Sequence, residues 1–89
     1  MEDEDRPIAW LALEKGTTVR AADGDEIGVV SQVIGDEQKD IFSGITITSG
    51  LFGTERYAPA DLVDAITRSE VRLSLGSRRA AESLDAYSA

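Results

Sequence analysis

Carboxylates are the side chains of this sequence most able to do chemistry, because 17 acidic residues stand among 89 while histidine and cysteine are both absent. Without imidazole there is no side chain whose ordinary pKa lies near neutrality, and no Ser-His-Asp arrangement can form. Without thiols there is no thiolate nucleophile, no disulfide and no cysteine-ligated zinc or iron–sulfur site. Acid–base work would fall to Asp61 with Asp64 or Glu55, but in so acidic a chain such pairs arise by composition alone and need a cleft to give them meaning. Asp23, Asp25 and Glu26 lie close enough to attract calcium, yet their spacing departs from the helix-loop-helix calcium pattern and reads better as a solvated hairpin turn. Gly50-Leu51-Phe52-Gly53-Thr54 has the glycines of a phosphate cradle without the lysine and following helix of a P-loop. No catalytic residue, metal ligand or cofactor site is assigned, and the chain is not expected to be an enzyme.

Two sets of residues are candidates for binding instead. Leu51 and Phe52 occupy a glycine-bounded turn that should be polar, so they either fold back over an open barrel end or project as an anchor into a partner or a second copy. Trp10 could bury on the order of 200 Å², as a plug over one barrel end or as an exposed binding aromatic. Trp10, Leu51 and Phe52 together form the expected partner or homodimer surface. The alternative is a phosphate- or RNA-binding patch of Arg68, Arg72, Arg78 and Arg79, with a solvated mixed-charge face as its plain counterpart. A net charge of −8 and a pI near 4.3 set nucleic acid and anionic lipid at a disadvantage as partners.

Around these residues the chain reads as one small domain whose modest core makes self-association worth expecting. Residues 1–7 read as a disordered acidic tail, 8–76 as the folded domain and 77–89 as a C-terminal helix or tail. The acidic start is unlike a secretory signal and no apolar run approaches a membrane span, so a cytoplasmic protein without membrane insertion is expected. Thr17-Thr18-Val19-Arg20 reads as a strand, and Asp23-Gly24 as the turn of a hairpin. The next strand, Ile27 to Ile34, changes apolar phase between Val29 and Val30, as a bulge would require. A polar loop over residues 35–40 leads to Ile41-Phe42-Ser43-Gly44-Ile45-Thr46-Ile47-Thr48, where alternation places Ile41, Ile45 and Ile47 on one face. Asp61 onward predicts a tight helical turn that becomes extended, and Val71, Leu73 and Leu75 alternate along a last strand. Ser77 is placed to cap a short helix over residues 78–87, with Ala80, Leu84 and Tyr87 on its inner side. Short strands, glycine turns and one weak helix predict a mainly β fold, a small barrel or curled sheet.

Four pieces in order carry a family resemblance: Lys15-Gly16-Thr17-Thr18-Val19, Asp23-Gly24-Asp25-Glu26-Ile27-Gly28-Val29-Val30, Ile45-Thr46-Ile47-Thr48, and Tyr57-Ala58-Pro59-Ala60-Asp61-Leu62-Val63 leading into Val71-Arg72-Leu73-Ser74. On these the chain resembles the PRC-barrel family from Leu11 to Leu75, although Ala58 stands where a larger aliphatic residue is usual and the hairpin at residues 36–40 is short. The resemblance implies a small antiparallel PRC-type β-barrel of about five to six strands with a short C-terminal helix. It further implies a prokaryotic, non-enzymatic adaptor that binds a protein partner and often self-associates; the family includes the cytoplasmic domain of the photosynthetic reaction-centre H subunit and the carboxy-terminal domain of a ribosome maturation factor, contexts that share binding rather than catalysis. No catalytic residues carry over.

Overall fold

The computed structural model describes residues 8–49 and 55–86. The expected acidic tail, the Leu51 and Phe52 turn, and Tyr87 lie outside them. β-Branched residues open the first strand, Thr18–Arg20 (β1), and the Asp23-Gly24 turn returns it into Glu26–Asp36 (β2). Gly24 takes φ +93°, a conformation most side chains resist, which is why glycine suits that corner. Ile41–Thr48 (β3) and Arg56–Pro59 (β4) follow. A 3-10 turn at Ala60–Leu62 leads into Val63–Ile66 (β5), then Glu70–Leu73 (β6), the helix Ser77–Ser83 (α1) and a two-residue strand, Asp85–Ala86 (β7).

The strands form one sheet in the order β5-β6-β1-β2-β3-β4-β7. It departs from the expected antiparallel barrel in two ways. β1 and β6 run parallel, with Val19 opposite Val71, so the sheet is mixed. It is also open: β5 and β7 end the order, and no ladder joins them. At the β5 edge the Ile66 carbonyl takes its hydrogen bond from Ile8 N–H at 2.9 Å, so the lead-in segment, not another strand, meets that edge. The seventh strand exceeds the expected five to six because Asp85–Ala86, expected within the helix, instead pairs with Arg56 and Tyr57 of β4.

Curvature comes from register shifts. Ile27, Ser31, Ser43 and Asp64 each stand as the extra residue where a ladder slips, and such insertions bend a strand. Two of them explain β2: Ile27, Val30 and Val33 all reach the core although they are three residues apart rather than two. The slip at Ser43 corrects the expected face of β3. Beyond it Gly35 pairs with Phe42, which packs against the core, while Ile41 turns outward and is 51% exposed. Ile41 therefore does not share the face of Ile45 and Ile47. The polar loop also shortens, since β2 runs through Gly35 to Asp36.

Val19, Ile27, Ile45, Ile47, Val71 and Leu73 point into one interior and none is more than 5% exposed. Each such side chain contributes about 1.5–3 kcal/mol by leaving water. Ala80 and Leu84 join the same cluster, so α1 belongs to this core. Leu75 lies past the end of β6 and still packs against it.

Candidate interaction surface

Trp10 begins a 3-10 turn, Trp10–Ala12, in the lead-in to β1. Its ring stacks on Phe42 with centroids 5.5 Å apart and planes 24° from parallel, and its indole N–H donates to Asp40 Oδ1 at 3.1 Å. A Cβ on Gly35 would come within 2.8 Å of Trp10 Cη2, so glycine makes room for the ring over the β2–β3 hairpin. Trp10 is half-buried and covers Phe42 as a lid does, while its neighbour Leu11 is 51% exposed. Whether Trp10 meets Leu51 and Phe52 falls outside the described residues.

An open groove of about 340 Å³ lies where the parallel strands β1 and β6 begin. Ile8, Ala12 and Leu13 supply its apolar lining. Glu14 and Thr17 on one side and Thr67 and Arg68 on the other make it polar. Local bonds set both polar sides: Thr17 Oγ1 donates to the Glu14 carbonyl at 2.7 Å, and Thr67 N–H donates to the Glu70 carbonyl at 2.9 Å. Arg68 is exposed and forms no hydrogen bond or ion pair among the described residues. Nothing in the sequence marks this groove, because it exists only once the lead-in lies beside the β5–β6 turn.

The four arginines expected as a phosphate patch are distributed along and beyond β6. Arg68 precedes the strand, Arg72 lies within it, and the exposed Arg78 and Arg79 follow it in α1. Arg72 is occupied: its Nη2 donates to Glu70 Oε2 at 3.0 Å, while Arg20 Nε donates to Oε1 of the same carboxylate at 3.1 Å. Glu70 thus sits between two guanidinium groups, one from each parallel strand.

The acidic turn at Asp23 performs a structural task that its sequence leaves hidden. Ser77 does not cap α1 with its own hydroxyl. Instead Asp23 Oδ2 accepts from Ser77 N–H at 3.1 Å and from Ser77 Oγ at 2.9 Å, and that hydroxyl also lies 3.2 Å from Asp25 Oδ2. The backbone and hydroxyl bonds from Ser77, with a further bond from Asp25 N–H, hold the Asp23 carboxyl below its ordinary range. At the other end of α1, Arg56 Nη1 donates to the Leu84 carbonyl at 2.7 Å. An anion at the first turn and a cation at the last both oppose the helix dipole correctly, and they offset the unfavourable Arg78 and Arg79 at its start. The helix ends at Ser83, short of the expected residue 87, because Leu84 turns into the core and Asp85 joins β4.

Among the described residues no helix is long and apolar enough to cross a membrane. No curated protein matches the chain. A family model does: that of the PRC-barrel domain, over residues 15–73, well over half of the chain. The matched span runs from the residue before Gly16 to the last residue of β6, so it takes in strands β1 to β6 and most of the core, while leaving out the Trp10 turn, α1 and β7 with the core residues Leu13, Ala80 and Leu84. By that match, the chain belongs to the PRC-barrel domain family.

Proposed function

We propose that this protein is a non-catalytic interaction module, an adaptor that works by binding a protein partner or a second copy of itself. The observation that carries the reading is the apolar surface left open along the lead-in. Leu11 is 51% exposed in the same segment whose Ile8 and Ala12 line the groove together with the buried Leu13, and uncovered apolar surface in a segment that lines a concave site favours association. The absence of histidine and cysteine points the same way, since it removes the commonest general base and the strongest nucleophile.

The test is the solution mass of the full chain across a concentration series, paired with capture of a defined protein on the immobilised chain. Leu11→Ser and Leu51→Ser/Phe52→Ser serve as the variants. We expect a mass above that of the monomer, or stoichiometric capture, with either reduced in Leu11→Ser. A chain that stays monomeric at every concentration and retains no protein would remove the adaptor role.

A further inference from the structure

We propose that the groove beside Arg68 binds a peptide segment of the partner in which a carboxylate side chain adjoins an aliphatic one. Arg68 pairs with the carboxylate, and Ile8, Ala12 and Leu13 receive the aliphatic group. This rests on the interaction-module reading and names the chemistry that the module recognises.

Three observations converge on that occupant. The groove, at about 340 Å³, holds one or two side chains and lies at the small end of ligand-sized clefts. Arg68 has no partner among the described residues, and a guanidinium presents paired donors that match a carboxylate in a fork. The turn that carries it is already fixed, since Thr67 N–H and Oγ1 both bond the Glu70 carbonyl, so little ordering is required on binding.

The local charge adds a fourth. Segments 14–20 and 67–73, which lie side by side through the β1–β6 ladder, carry Lys15, Arg20, Arg68 and Arg72 against Glu14 and Glu70. That is four basic and two acidic residues, in a chain with 9 basic and 17 acidic. Among the described residues this end of the sheet therefore carries more basic than acidic side chains, which favours the approach of an acidic segment. Glu14, inside the groove, opposes a doubly charged phosphate more than a single carboxylate, and the apolar lining gives a phosphate nothing to bury.

The experiment follows backbone amides of the ¹⁵N-labelled full chain on addition of acetyl-Leu-Asp-amide, acetyl-Leu-Asn-amide or inorganic phosphate. We expect the aspartate probe to move the amides of Leu13, Thr17, Thr67 and Arg68, and to bind about fivefold more tightly than the asparagine probe at low salt. Arg68→Gln, a change at an exposed side chain, should abolish that preference while leaving the rest of the spectrum in place. Equal response to both peptides, an Arg68→Gln variant that keeps the preference, movement by phosphate alone, or no movement at these amides would each overturn the assignment. If the chain still associates or captures a protein while these amides stay unmoved, the groove assignment fails and the interaction reading stands.

Discussion

Asp23 and Ser77, 54 positions apart, meet where the β1–β2 turn holds the first residue of α1: one carboxylate oxygen accepts both the backbone N–H and the hydroxyl of Ser77. The bonds favour the ionised carboxylate, so its folded-state pKa is depressed below the ordinary 3.8. Linkage then has a definite sign. The contribution is fully present above the unfolded value and is lost as pH falls through the lower folded value. We expect Asp23→Asn to have a smaller decline in denaturant midpoint than the parent between about pH 5 and pH 2. Asp23→Ala should lower helical circular dichroism at neutral pH. Identical acid profiles for parent and Asp23→Asn would show that the cap carries no stability.

Gly35 gives Trp10 its seat. An alanine Cβ there would meet Trp10 Cη2 at 2.8 Å, as well as the Ile41 carbonyl, which belongs to the backbone and cannot move aside cheaply. Gly35→Ala should therefore cost about 1–3 kcal/mol and shift tryptophan emission to the red as the ring leaves Phe42. Because Trp10 is the sole tryptophan, the emission reports on this contact directly. Unchanged emission and stability would mean that the ring does not rest on Gly35.

Thr46 is fully buried in β3, and its Oγ1 has no hydrogen-bond partner among the described residues. A buried hydroxyl left without a partner loses its hydration and gains nothing in return. Thr46→Val keeps the branched shape and should raise unfolding free energy by about 1 kcal/mol, measured by urea titration. A loss of similar size would reveal a bond to that hydroxyl.

Nucleic acid makes a sharp counter-test. With Arg72 held by Glu70 and a net charge of −8, we expect no salt-sensitive retention of the chain on RNA, and no difference between the parent and Arg78→Glu/Arg79→Glu. Retention at low salt that the double reversal abolishes would move the function to an RNA-associated role.

Much of the core was legible from local pattern. Val71 and Leu73 alternate within a short strand, as Ile45 and Ile47 do in β3, and all four are buried together with Val19 and Ile27. Ile41 was misplaced for a physical reason: alternation holds only while the ladder stays in register, and nothing in Ile41-Phe42-Ser43 shows that Ser43 will be the residue left over. The end of α1 was hidden likewise, since it depends on Arg56 reaching the Leu84 carbonyl and on β4 offering an edge to Asp85. The Asp23–Ser77 cap carried a faint trace in the sequence, because a helix beginning Ser77-Arg78-Arg79 needs an anion from somewhere. The groove carried none, as its sides come from segments that only the parallel β1–β6 pairing brings together.

The most direct measurement of the interaction role is an amide-shift map of the labelled full chain as unlabelled chain, or a protein captured by it, is added. We expect movement centred on residues 8–17 and on Thr67 and Arg68, where apolar surface lies open near a cation with no partner among the described residues. Shifts confined to the Arg78 and Arg79 turn of α1 would move the contact away from the lead-in, and no shift at any concentration would contradict the role.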